Sequence, residues 1–116
     1  MKECFLVFTY EKDGKPYIPV MFHVLLFASE MKKKGDLVKI VFEGEGVKWL
    51  NELFNPEHPL KSHVEGLKDT FVACEACSSM FSVLEKIKGK VELENRLHGH
   101  VSLKNYLDSG YTVIEF

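Results

Sequence analysis

Apolar positions along this chain fall into short continuous runs and longer periodic stretches. Cys4 to Thr9 (CFLVFT), Leu37 to Glu43 (LVKIVFE), Phe71 to Ala73 and Tyr111 to Phe116 (YTVIEF) are of the first kind. A run apolar at nearly every position fits a strand covered on both faces, and the first of these is placed centrally in its sheet. A further short strand is expected near Val91 to Leu93. Tyr17 to Lys34 is of the second kind, with Met21, Val24, Leu25, Ala28 and Met31 at helical spacing, Pro19 near its start and Gly35 at its end.

Further helices are predicted from the Gly44-Glu45-Gly46 turn through Leu53, over Leu60 to Leu67, over Ser78 to Lys88 with Gly89 as its stop, and over Val101 to Leu107 before Gly110. Asn55-Pro56-Glu57-His58-Pro59 breaks the chain between them. Strands alternating with helices of ten or more residues imply parallel crossovers and helices on both faces of one α/β sheet.

Composition places this pattern in one domain spanning residues 1–116, since 116 residues at 46% hydrophobic suffice for one core and leave no room for a second. The formal charge of −2 is spread along the chain. Nucleic acid is therefore not expected as a partner, because backbone binding needs a concentrated basic surface; Lys32-Lys33-Lys34 reads as a solvated helix end. No stretch is long enough to span a bilayer and the opening apolar run is too short for a secretion signal, so a cytoplasmic location without membrane contact is expected. Three cysteines with one close pair do not make a disulfide-stapled scaffold. Cys4 reads as a small buried hydrophobe.

The chemistry concentrates in FVACEACSSM, where Cys74 and Cys77 follow an apolar run. If a strand ends there and a helix starts, the thiols sit beside free backbone N–H groups that favour thiolate, and Cys74, nearer the strand end, is the better nucleophile. A CxxC step of this kind also suits dithiol redox chemistry, in which one thiolate attacks and the other resolves. As metal ligands the pair is half of a zinc site. His98 and His100 complete four ligands on paper, but they lie on a different stretch, and no metal or other cofactor is assigned. The remaining alternative is a pair of partly buried helix-start cysteines without chemistry.

In an open α/β sheet ligands bind at the carboxyl ends of strands, which here carry Tyr10, Glu43 with Gly44, Glu45 and Gly46, and the cysteines. The two glycines permit close backbone approach, and a helix N-terminus after them could hold an anion. The spacing matches neither a dinucleotide fingerprint nor a phosphate loop, and a connecting turn with solvated glutamates is the alternative. Tyr17 and His23 at the start of the first long helix complete the candidate pocket, His23 having a packed, hydrogen-bonded histidine as its competing reading. Trp49 and Phe54, with Phe22 and Phe27, suggest a helix face buried in a subunit contact, with ordinary core packing explaining part of this aromatic surface.

FLVFTY, YIPVMFHVLLFA, VKIVFEGEGVKWL, VACEAC and Gly110 followed by YTVIEF, taken in order, resemble the DsrE/DsrF-like family of small sulfur-relay and related proteins. The resemblance covers nearly the whole chain. It implies a three-layer α/β/α sandwich with a mainly parallel five-stranded sheet, assembly into homo-oligomers (trimers or hexamers) or with sister subunits, and exchange with sulfur donor and acceptor proteins. In relay members a cysteine after the third strand carries sulfane sulfur as a persulfide. The matching position here is Cys74, with Cys77 alternative or accessory. Ser78-Ser79-Met80-Phe81 stands where some relay subunits carry arginines before a glycine, so their tRNA-thiolation role is not carried over. A non-catalytic binding or interaction subunit with structural cysteines, and a small dithiol redox protein, remain the alternatives.

Overall fold

A computed structural model describes residues 1–116. Its elements run β1 (Lys2–Val7), a small hairpin of β2 (Glu11–Lys12) and β3 (Lys15–Pro16), α1 (Ile18–Lys33), β4 (Leu37–Phe42), a 3-10 helix (Gly44–Asn51), α2 (Lys61–Val64), a 3-10 turn (Lys68–Thr70), β5 (Phe71–Cys74), α3 (Glu75–Met80), α4 (Leu84–Ile87), β6 (Glu92–Glu94), α5 (Leu103–Asp108) and β7 (Thr112–Glu115). Five strands form one sheet in the order β6-β5-β4-β1-β7. Every neighbouring pair in it is parallel. The result is the flanked α/β sandwich expected from the alternation of runs. β1 is interior and buried along nearly its whole length, as its unbroken apolar run predicts.

α1 begins with Pro19 in its first turn and ends with Lys32 and Lys33 beside the unpaired carbonyls. It buries Met21, Val24, Leu25 and Ala28. The expectation that every crossover carries a helix of ten or more residues holds only for α1. After β4 the chain takes a 3-10 helix, which buries Val47, Trp49 and Leu50. After β5 the predicted Ser78–Lys88 helix is two short helices. Ser82, at φ 59°, breaks it in the left-handed region without a glycine to announce the break. Trp49 is also a correction: it is fully buried, and its indole N–H donates to the Thr9 carbonyl at 2.7 Å, so it serves this chain's own core rather than a subunit contact. Phe54 packs edge-on against Phe71. Phe27 does remain exposed on α1.

One junction fixes how the two central strands end. The Glu43 amide donates to the Val7 carbonyl at 3.0 Å, and the 3-10 helix then curls over that same carbonyl. A Cβ at Gly46 would lie 2.0 Å from the Val7 oxygen, so only glycine fits the approach. No helix is long and apolar enough to cross a membrane. Gly46→Ala is expected to destabilise the fold by about 1–3 kcal/mol through overpacking against backbone. Gly66→Ala, with open space around its Cβ, is expected to be neutral or to gain up to about 1 kcal/mol. Urea-unfolding midpoints of the two variants check this; equal midpoints would contradict it.

Candidate active site

β5 ends at Cys74, and α3 starts on the next residue. Cys74 is the N-cap of α3, and its Sγ accepts the Cys77 amide at 3.4 Å. Three residues on, Cys77 points back toward the sheet edge and its thiol donates to Glu43 Oε1 at 2.8 Å. Glu43 itself terminates β4, the neighbouring strand. Its carboxylate also accepts the Gly44 amide at 3.1 Å and the Val101 amide at 3.4 Å. The fourth member is His100, whose Nδ1 lies 3.2 Å from Cys74 Sγ, 3.6 Å from Cys77 Sγ and 3.6 Å from Glu43 Oε1.

The loop between β6 and α5 delivers His100 to the cysteines. Gly99, at φ 89°, lets that loop reverse, and the Ala76 amide donates to its carbonyl at 2.9 Å, clamping the loop onto the first turn of α3. The clamp closes the site. Cys74 is 0% exposed and Cys77 6%, whereas the His100 side chain is 41% exposed and forms the face the cluster turns to solvent. Beside Glu43 a narrow cavity of about 110 Å³ runs between Cys4 and Leu6 of β1 and Val101, Leu103 and Tyr106.

The electrostatics differ from the thiolate expected at a strand-to-helix step. Burial pushes both thiols up, and the Glu43 carboxylate pushes further; Cys77 reaches about 12. The Cys77 amide acts in the opposite sense on Cys74 but does not overcome burial. Burial works against ionised Glu43 too, yet the two thiols and the Gly44 and Val101 amides outweigh it and hold this carboxyl below its usual range. At neutral pH the resting arrangement is a carboxylate among neutral thiols. The thiols differ in kind, because Cys77 donates to an anion while Cys74 meets an imidazole nitrogen and a backbone N–H.

The other candidate residues do not join the cluster. Gly46 is consumed by the approach to Val7, and Glu45 is a solvated partner of Lys48 at 3.5 Å. The Tyr10 hydroxyl donates to Glu52 at 2.6 Å and its ring meets Trp49 edge-on. Tyr17 follows the β2–β3 hairpin, beneath the Lys12 ammonium. His23 is exposed on α1, with Nδ1 2.7 Å from the Pro19 carbonyl and its ring between Phe22 and Phe27. His98 is exposed and outside the cluster. The residue that sequence reasoning did not place with the thiols as a reactive group is His100; its one signal was the HxH spacing, noticed only as a metal coincidence.

The DsrE/DsrF-like family model matches residues 2–116. The chain belongs to the DsrE/DsrF-like family. This DsrE-like chain is 61% identical over 115 residues to the uncharacterised protein MJ0733 of Methanocaldococcus jannaschii, covering 99% of this chain and 95% of that one. Among solved structures it is similar to the conserved protein of unknown function BT1422 from Bacteroides thetaiotaomicron, with a TM-score of 0.64 at 16% identity over 99% of this chain and 94% of that one, a likeness of fold.

A carboxylate that pushes a thiol up must release it when neutralised. Glu43→Gln is expected to lower the Cys77 pKa, so that alkylation of Cys77 at pH 8, followed by peptide mass spectrometry, runs several-fold faster than in the unsubstituted chain. The unsubstituted rate should keep climbing beyond pH 10. A plateau near pH 8 in the unsubstituted chain would contradict this account of the site.

Proposed function

We propose that this DsrE-like chain is a sulfur carrier that holds sulfane sulfur as a persulfide on Cys74, with Cys77 as the resolving thiol. The single observation supporting this most strongly is the 3.2 Å contact between Cys74 Sγ and His100 Nδ1 at the carboxyl end of β5. It gives a neutral, buried thiol a base within reach, as nucleophilic catalysis by a cysteine requires. The reaction starts when Cys74 passes its proton to His100. The thiolate attacks the terminal sulfur of a donor persulfide R–S–SH, a new S–S bond forms at Cys74, and the donor's S–S bond breaks. R–S⁻ leaves with the bonding pair and takes the proton from His100.

The Cys77 amide, which faces Cys74 Sγ, favours the anionic forms along this path. Delivery follows when an acceptor thiolate attacks the outer sulfur and Cys74 leaves as thiolate. Alternatively Cys77, its proton taken by His100, whose Nδ1 lies 3.6 Å from Cys77 Sγ, attacks Cys74 Sγ. That step expels HS⁻ and leaves a Cys74–Cys77 disulfide for an external dithiol to reduce. Cys74 is enclosed, and the donor approaches from the face that the half-exposed His100 side chain turns to solvent.

The closure of Cys74 also favours a second reading, a binding or interaction subunit whose cysteines are structural. In either case homo-oligomeric assembly into trimers or hexamers is part of the proposal, with exposed Leu26 and Phe27 on α1 and Leu103 and Leu107 on α5 as the apolar surface available for it.

Incubation with a low-molecular-weight persulfide followed by intact and peptide mass spectrometry should show one added sulfur on the Cys74 peptide, absent in Cys74→Ser and formed about 10²-fold more slowly in His100→Ala. An unmodified chain under conditions that load a control sulfurtransferase would sink the carrier reading and leave the structural one.

A further inference from the structure

We propose that Glu43, Cys74, Cys77 and His100 form a binding site for a thiophilic divalent cation of the zinc class. One ligand atom from each residue lies within 4.8 Å of every other, although they come from three separate segments of the chain. Four ligands around zinc, at roughly 2.0–2.3 Å, have edges of about 3.3–3.8 Å. The Cys74–His100, Cys77–His100 and Glu43–His100 separations are 3.2, 3.6 and 3.6 Å, close to those edges. The 2.8 Å Cys77–Glu43 separation is that of a thiol hydrogen bond, which lengthens when the metal replaces the proton.

The donor set selects the ion. Two sulfurs and an imidazole are poor ligands for magnesium or calcium, which take oxygen, and with one carboxylate they suit tetrahedral zinc or its analogues cobalt(II) and cadmium(II). With both thiols deprotonated and His100 neutral, three negative ligands meet a dication and leave a net charge of about −1. The surroundings hold the ligands in place. The Val101 amide meets the second carboxylate oxygen of Glu43, and the clamp from Ala76 to Gly99 holds His100 over the pair. His100, half open to solvent, provides the entry.

Cation binding stands without the sulfur-carrier reading, but one consequence rests on it. A metal holding both sulfurs withdraws the Cys74 lone pair from sulfur transfer, so metal occupancy and persulfide loading exclude each other.

The chain, reduced and stripped with a chelator, is titrated with cobalt(II) as an optical probe and then with zinc, with stoichiometry read by equilibrium dialysis. One cobalt per chain is expected, with thiolate-to-metal charge transfer and the intense visible bands of tetrahedral coordination, displaced by one zinc. Cys74→Ser or Cys77→Ser should each remove the charge-transfer intensity attributable to one sulfur. His100→Ala, checked for native circular dichroism, should weaken binding at least about 100-fold, and Cys4→Ser should leave it unchanged. No tight one-to-one binding, a weak octahedral spectrum, or affinity indifferent to His100→Ala would overturn the site. A chain that binds cobalt in this way but takes no sulfur after stripping keeps the metal site and loses the carrier; one that takes sulfur but binds no metal does the reverse.

Discussion

A largely enclosed carboxylate at the end of a parallel strand must be satisfied or it costs several kcal/mol, and Glu43, its side chain 13% exposed, meets that condition by drawing three segments together. It follows β4 and caps the 3-10 helix by accepting the Gly44 amide, takes another amide from Val101 before α5, and accepts the Cys77 thiol from α3. The site is therefore assembled by the packing of the sheet's carboxyl edge. The junction beneath it is equally constrained, since the Val7 carbonyl that receives the Glu43 amide is also the atom against which Gly46 is pressed. Backbone geometry at the ends of β1 and β4 sets where the carboxylate stands, and the carboxylate sets how Cys77 is held.

That arrangement determines what kind of thiol chemistry the chain can support. An exposed thiol at a helix start gains anionic character from free amides and the helix dipole. Here α3 is short, its first turn is covered by the Gly99 loop, and burial together with a neighbouring carboxylate outweighs one N–H. Neutral thiols resist adventitious oxidation and alkylation, because the thiolate is the reactive form. The side chain placed to accept a proton from either thiol is His100, whose Nδ1 lies 3.2 Å from Cys74 Sγ and 3.6 Å from Cys77 Sγ.

Four of the sheet's strands were legible as short apolar runs and α1 because Pro19, the lysines and Gly35 mark its ends, whereas the exposed β2–β3 hairpin was not. The break after β5 was not legible either, since the left-handed conformation falls on Ser82, where no glycine marks it. Cys74, Cys77 and Glu43 were legible as strand-end residues once a parallel sheet was inferred. Tyr10 satisfied the same rule, and Tyr17 and His23 were expected beside it at the start of the first helix, yet all three lie elsewhere, because the β2–β3 hairpin carries the chain out after β1 and α1 turns His23 to solvent. His100 was legible only as a paper ligand alongside His98: it sits 23 residues after Cys77 in a loop whose course is set by Gly99 and its hydrogen bond to Ala76.

The central claim is that these four side chains act as one unit, and a double-mutant cycle tests it most directly. Rates of persulfide formation at Cys74 are measured for the unsubstituted chain, Glu43→Gln, His100→Gln and the double variant. A shared site predicts strong non-additivity, with a coupling of about 1 kcal/mol or more between the two substitutions. Additive effects, or a rate insensitive to both, would show that the cysteines work without the carboxylate and imidazole that surround them and would contradict the account.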